Sequence, residues 1–139
     1  MKRILGNVLA PVAVAAFITT ALTLPSIADE PRHGDYGFRH DELHQQFFSK
    51  LQRPDAKGSC CNDHDCGITE ARWNFATGQW EALKARRWVR IPATKIVRDE
   101  TGNPLKSPTG EAVLCAPLPT WTSYPPDEVF CFIPPVPNT

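Results

Sequence analysis

Five cysteines constrain this chain more than any other feature, because three of them crowd into residues 59–66, Ser-Cys-Cys-Asn-Asp-His-Asp-Cys. Small exported domains with cysteines at this density usually form disulfides, since their hydrophobic cores are too small to hold them folded alone. Five cysteines permit two disulfides with one cysteine left over, and the sequence does not choose the pairing. The candidates are Cys60, Cys61, Cys66, Cys115 and Cys131.

The N-terminal segment predicts export. A basic start, Lys2 and Arg3, precedes an apolar run without charges over residues 4–24, and the small residues Ser26 and Ala28 close it. This layout is typical of a secretory signal peptide cleaved after Ala28. We therefore expect a signal peptide over 1–28 and a single small domain over 29–139, periplasmic or secreted. An uncleaved membrane anchor is the alternative, and three residues argue against it: Asn7, Pro11 and Pro25.

Charge excludes two classes of partner. The whole chain has 15 basic and 15 acidic residues, and removal of Lys2 and Arg3 leaves an excess of two acidic ones. A nucleic-acid-binding protein normally carries a basic face or stripe, which this sequence lacks. It also lacks a polybasic membrane patch. We therefore expect no nucleic-acid partner and no stable membrane insertion after cleavage.

Hydrophobic periodicity predicts an α+β fold. Leu43, Phe47 and Leu51 recur with helical spacing, which predicts one short amphipathic helix within residues 39–51. The segments flanking 76–78 predict a hairpin, and we expect a small antiparallel β-sheet, disulfide-stapled and rich in loops and prolines. Trp73, Trp80 and Trp88 are expected to pack in the core or in one aromatic ladder. The predicted strands are Trp73–Phe75, Gln79–Leu83, Trp88–Ile91, Lys95–Val97, Ala112–Cys115 and Val129–Ile133.

The histidines offer a metal site as an alternative to a purely structural cysteine cluster. His40 and His44 have the i, i+4 spacing that lets two imidazoles face one ion on a helix. Asp41 stands where a metalloprotease has its glutamate, so that chemistry is not expected. His64 together with Asp63, Asp65 or the left-over cysteine completes a site only if the cysteine loop, residues 60–66, folds back onto the helix.

Two further interpretations of the cysteine loop are weaker. A reactive thiol needs a cation, a histidine or a helix start beside it, whereas Asp63 and Asp65 are acidic and only His64 opposes them. The loop has no Cys-x-x-Cys motif. Calcium binding at residues 62–65 would lack the glycine and the distal glutamate of an EF-hand loop.

One set of segments forms a pattern along the predicted mature chain: His44-x-x-Phe47, Ser59-Cys60-Cys61-Asn62 with Asp65-Cys66, Thr69–Arg72, Trp88–Ile96, Leu114–Ala116 and Val129–Pro134. Together these segments resemble a family of small exported, cysteine-containing proteins common in alphaproteobacteria. The resemblance covers most of the predicted mature chain and includes all five cysteines, but of the histidines only His44. It implies export and a shared cysteine framework, and no activity. Val113 stands where such proteins often carry a histidine.

These observations predict a non-enzymatic binding or envelope-associated module. No nucleophile, base and orienting group stand in a familiar context, so we assign no catalytic residues and expect no cofactor. Trp121 and Tyr124 are the candidate exposed aromatic contact. The alternative is a metal- or redox-linked periplasmic protein that uses His44 and the Cys60 to Cys66 loop. The ligand and the partner stay open, as does a covalent dimer through the odd cysteine.

Overall fold

The computed structural model describes residues 37–62 and 64–137, so the predicted signal peptide lies outside the described residues. Regular elements are short, as expected for a chain with 14 prolines. Within these described residues, one α-helix and six strands carry the fold, with 3-10 turns at Phe48–Lys50 and Ala93–Lys95. The elements are α1 His40–His44, β1 Cys66–Thr69, β2 Ala71–Asn74, β3 Gln79–Lys84, β4 Arg87–Ile91, β5 Ala112–Cys115 and β6 Cys131–Ile133.

The strands form two antiparallel sheets of three strands each, where the sequence predicted one. Their orders are β1-β5-β6 and β2-β3-β4. The chain passes from one sheet to the other at Glu70, between β1 and β2. Thr69 Oγ1 donates a hydrogen bond of 2.6 Å to the carbonyl of Leu83, which ties the two sheets together at this crossing. The α+β class is confirmed in its coarse form: small antiparallel sheets, few helical residues and disulfides.

The β1-β5-β6 sheet is covered on both faces. Val113 and Ile133 face one hydrophobic cluster with Leu43 and Phe48, whereas Leu114 and Phe132 face a second cluster shared with the other sheet. Side chains alternate between the faces of a strand, so both faces of β5 are apolar. This explains why every residue of β1, β5 and β6 is buried.

One disulfide connects this sheet to the cysteine loop, and a second joins two neighbouring strands of the sheet. Cys60 bonds to Cys131 on β6, and Cys66 on β1 bonds to Cys115 directly opposite on β5. The sequence separations are 71 and 49 residues. In the chain-entropy model, closing loops of this length stabilises the fold by about 4 kcal/mol each. Disulfide stapling is confirmed, and it indicates an oxidising compartment outside the cytoplasm.

The predicted helix is shorter than its periodicity suggested. α1 has five residues, and Phe47 leaves helical geometry at φ −136° and ψ −61°. The break turns Phe48 inward, where it is completely buried, and Phe47 is left only partly buried. The helix therefore does not continue to residue 51, and the core receives Phe48 in place of the predicted Phe47.

The hairpin prediction is confirmed and two strand predictions need correction. β2 and β3 pair around Gly78. Its φ of 64° lies in the left-handed region, which glycine adopts at little energetic cost because it has no Cβ. Residues 95–97 form no regular strand. The Lys95 N–H donates to the Pro92 carbonyl at 2.9 Å, which closes a 3-10 turn, and Ile96 then makes an isolated parallel bridge with Phe132 of β6. β6 begins at Cys131 because Val129 and Phe130 follow the turn that leads into it.

The tryptophans divide between core and surface. Trp80 is partly buried and its ring lies 5.6 Å from that of Trp73, its cross-strand partner, so part of the expected ladder exists. Trp73 and Trp88 are 42% and 39% exposed, which makes the core prediction wrong for these two. Trp88 lies instead against Arg72, whose guanidinium carbon is 4.2 Å from the ring centroid.

Candidate metal centre

His40 begins α1 and is the most enclosed histidine of the described chain, with 3% of its surface exposed. Its ring centroid lies 4.8 Å from that of His44 and 4.6 Å from that of His64. Phe48 packs on it at 5.6 Å. The helix and the cysteine loop therefore place the imidazoles of His44 and His64 beside the buried ring of His40.

The protonation of His40 is set by the strand beneath it. Nδ1 lies 2.9 Å from the carbonyl oxygen of Cys66. A carbonyl only accepts hydrogen bonds, so Nδ1 carries the proton and donates. In the neutral ring Nε2 then keeps its lone pair. Histidines that bind metals typically donate their other ring N–H to such a carbonyl, which orients the ring toward the ion.

His44 follows one helical turn later and faces the cysteine loop. Its Nδ1 is 3.8 Å from the sulfur of Cys61. Cys61 belongs to neither disulfide and is 6% exposed. A thiol at this depth beside an imidazole is poorly accessible to large reagents, but it is placed to share a small ion with the imidazole.

Local hydrogen bonds hold the cysteine loop in place. Ser59 Oγ donates to the Cys61 carbonyl at 2.8 Å, and Asn62 N–H donates to Asp65 Oδ1 at 2.9 Å. The Ala116 N–H donates to the Asp65 carbonyl at 2.9 Å and ties the loop to the end of β5. The disulfides at Cys60 and Cys66 fix both ends, so Cys61 is positioned from two sides.

Two overlapping donor sets result. The donor atoms of His40, His44 and Cys61 all lie within 4.8 Å of one another, and so do those of His40, Asp41 and His64. In a tetrahedral zinc site with bonds of about 2.0–2.3 Å, ligand atoms are separated by roughly 3.5 Å. The donor atoms therefore need to move together by no more than about an ångström to close around an ion.

A third set has the spacing but lacks the chemistry. Cys61, Asp65 and Cys66 also lie within 4.8 Å, yet the Cys66 sulfur is bonded to Cys115 and is no thiolate. Asp65 therefore groups with the sulfurs and not with the histidines, unlike the sequence-based set of His40, His44, His64 and Asp65. The left-over cysteine that the sequence offered as a possible ligand is Cys61, and it replaces Asp65 as the residue that faces the imidazoles.

Surface charges anchor the beginning of α1. Arg39 donates to both carboxylate oxygens of Glu42, at 2.7 and 2.6 Å, and to Glu111 at 3.0 Å. The hydrogen bond with Glu42 raises the pKa of Arg39 and lowers that of Glu42. Because Glu111 directly precedes β5, this network fixes the end of the helix that carries His40.

The outer donor set is more open. His64 Nδ1 lies 3.6 Å from Asp41 Oδ1, and their side chains are 61% and 90% exposed. His64 therefore covers the solvent side of His40, whereas His44 and Cys61 lie on the protein side. A ligand pair so exposed adds less to a metal site than the buried set, because water competes for each donor.

The predicted aromatic contact is mostly integrated into the domain. Trp121 is partly buried and packs on the core, with its ring 6.5 Å from that of Phe130. Tyr124 is 42% exposed and meets Phe130 edge-on at 5.2 Å. Only Tyr124 offers substantial surface, so the pair forms one side of a shallow, proline-lined groove.

Neither the helices nor the comparisons with known proteins add a further indication of function. Among the helices of residues 37–62 and 64–137, none has both the length and the apolar character needed to cross a membrane. No protein-family model, curated protein or solved structure matches the chain.

Proposed function

We propose that this protein is an exported metal-binding module whose ligands are the buried His40 and Cys61 and the partly buried His44. The observation that carries the proposal is the convergence of these three donors within 4.8 Å, with Nδ1 of His40 already hydrogen-bonded to the Cys66 carbonyl. Nothing in this arrangement requires a catalytic role. A periplasmic or secreted location, after cleavage at Ala28, is part of the proposal, as is membership of the exported family that the cysteine pattern resembles.

The donor types select the class of ion. Magnesium and calcium take oxygen ligands, whereas two imidazoles and a thiolate suit zinc or copper. Within the described part of the chain, His64 is the nearest further imidazole and would supply a fourth ligand from the solvent side. Three fixed ligands and one exposed ligand allow an ion to be exchanged without unfolding, which suits a carrier or buffer of zinc or copper.

The test uses the exported full chain, stripped of metal with a chelator and titrated with Zn²⁺ or with Co²⁺ as a spectroscopic substitute. We expect one ion per chain and a thiolate-to-cobalt charge-transfer band. Cys61→Ser should abolish that band. His40→Gln and His44→Gln should each weaken binding by more than about 100-fold, since loss of an outer-shell partner alone costs 10- to 100-fold.

Matched control variants distinguish the loss of a ligand from a general disturbance of the helix. Gln45→Ala changes an exposed neighbour of His44 and should leave affinity unchanged. His64→Gln should weaken binding less than His40→Gln or His44→Gln does. Binding that persists in Cys61→Ser with unchanged affinity, or no binding by the correctly disulfide-bonded protein, would rule out the proposed site.

A further inference from the structure

The sulfur of Cys61 lies beside a disulfide as well as beside His44. Its Sγ is within 4.8 Å of the Sγ of Cys66, which is bonded to Cys115. We propose that Cys61 performs an intramolecular thiol–disulfide exchange with the Cys66–Cys115 bond, so that the chain interconverts between two disulfide pairings. The substrate of this exchange is the protein's own Cys66–Cys115 disulfide.

The fold favours Cys66 as the point of attack. Cys61 and Cys66 are the two ends of one short loop, and the Asn62 N–H to Asp65 Oδ1 hydrogen bond of 2.9 Å bends that loop back on itself. Cys115 lies on the central strand of its sheet, held between Cys66 and Cys131 by the strand register. Attack by Cys61 on the Cys66 sulfur therefore closes the short loop between them and makes Cys115 the leaving sulfur.

The exchange needs no external oxidant or reductant. The Cys61 thiolate forms a bond to Cys66 Sγ, the Cys66–Cys115 bond breaks, and its electron pair stays on Cys115 Sγ. The proton that Cys61 gave up is replaced by one taken up at Cys115. The protein keeps two disulfides and one thiol throughout, and the thiol moves from the loop to the central strand.

Exchange and metal binding compete for the same sulfur. A Cys61 thiolate bound to an ion cannot attack Cys66, and a Cys61 held in a disulfide is no longer a metal ligand. This coupling rests on the proposed function, whereas the exchange itself rests only on the position of the two sulfurs. Metal occupancy would then protect the native disulfide pairing, and exchange would release the ion.

The experiment maps thiols over time in the metal-free full chain at about pH 8, close to the ordinary pKa of a cysteine. Samples are quenched in acid, denatured, alkylated at low pH with a maleimide and digested for mass spectrometry. We expect label on Cys115, together with a Cys61–Cys66 cross-linked peptide, at a rate independent of protein concentration over seconds to hours. Cys61→Ser should show no label on Cys115.

A second variant tests the same geometry without depending on the balance between the two pairings. In Cys115→Ser, air oxidation should give a Cys61–Cys66 disulfide while Cys60–Cys131 stays intact. Label confined to Cys61 in the wild type, and two unlinked thiols in Cys115→Ser, would overturn the proposal. Label that appears on Cys131 or rises with protein concentration would also overturn it, since exchange would then follow another route.

Zinc separates the two proposals. One equivalent of Zn²⁺ should slow the appearance of label on Cys115 at least about tenfold if Cys61 is both the ligand and the attacking thiol. Exchange that proceeds equally fast with zinc present would contradict the metal site and leave the exchange standing. Zinc binding without any exchange in the metal-free chain would contradict the exchange and leave the metal site standing.

Discussion

The imidazole Nδ1 of His40 lies 2.9 Å from the carbonyl oxygen of Cys66, so the first residue of the helix is hydrogen-bonded to the strand residue that carries a disulfide. This contact spans 26 residues of sequence. It couples the position of the histidine to the covalent framework of the sheet. The candidate metal site therefore depends on the disulfides for its geometry, although neither disulfide contributes a ligand.

His40 should contribute to stability even without metal. His40→Ala removes a buried ring and leaves the Cys66 carbonyl without its histidine donor, and we expect a loss of about 2–4 kcal/mol in the free energy of unfolding. The measurement is urea unfolding of the metal-free protein with its disulfides intact. His64→Ala, which removes a 61% exposed side chain, is the matched control and should change stability by less than about 0.5 kcal/mol. Equal losses in the two variants would contradict this role of His40.

The Cys66–Cys115 disulfide should matter more for folding than the fifth cysteine does. The double variant Cys66→Ala, Cys115→Ala should lose about 2–5 kcal/mol, because the unfolded chain regains the freedom that the cross-link removed. Cys61→Ala removes a single buried sulfur and should cost about 1 kcal/mol. Thermal and urea unfolding of both variants, with the Cys60–Cys131 bond verified by mass, make the comparison. A Cys61→Ala loss as large as that of the double variant would be the contrary result.

Gly67 should be sensitive to a single added methyl group. A Cβ at this position would lie 3.1 Å from both the N and the O of Phe38, backbone atoms of the segment that leads into the helix. Gly67→Ala must therefore push residues 37–38 away from β1, and we expect a loss of about 1–3 kcal/mol. Because His40 follows this segment, metal affinity should fall as well, measured by the same cobalt titration. Unchanged affinity in a destabilised Gly67→Ala would show that the histidines hold their places independently of it.

Local patterns predicted the local elements well. The hairpin around Gly78 was predicted from its turn residues, which act over a few neighbours, and Ala112–Cys115 was predicted as a short strand. β1 was missed because Cys66–Thr69 pairs with β5, far away in sequence, and its four residues carry no alternation. The division into two sheets, the disulfide pairing and the approach of Cys61 to His44 likewise depend on long-range packing that no short window contains.

The solvent face of the β2-β3-β4 sheet should carry a pH dependence of stability centred on Glu81. Its carboxylate accepts hydrogen bonds from Asn74 Nδ2 at 2.9 Å and Arg72 Nε at 2.8 Å, and Arg90 adds positive charge from the neighbouring strand. The Asn74 and Arg72 hydrogen bonds lower the pKa of Glu81 in the folded state. A lowered carboxyl pKa stabilises the fold at pH values above the unfolded pKa of about 4.3 and loses that contribution as pH falls through the folded value.

Glu81→Gln removes this titration while keeping the side-chain shape. Urea midpoints of wild type and variant, measured from about pH 7 down to about pH 3, should therefore show a constant advantage of the wild type above the unfolded pKa and a shrinking one below it. Glu100→Gln, in an exposed loop, is the carboxyl control and should follow the wild-type profile. An advantage that stays constant to the lowest pH would mean that Glu81 stabilises the sheet by packing and not by charge. Trp88, stacked on Arg72, supplies a fluorescence signal at this site for the same titration.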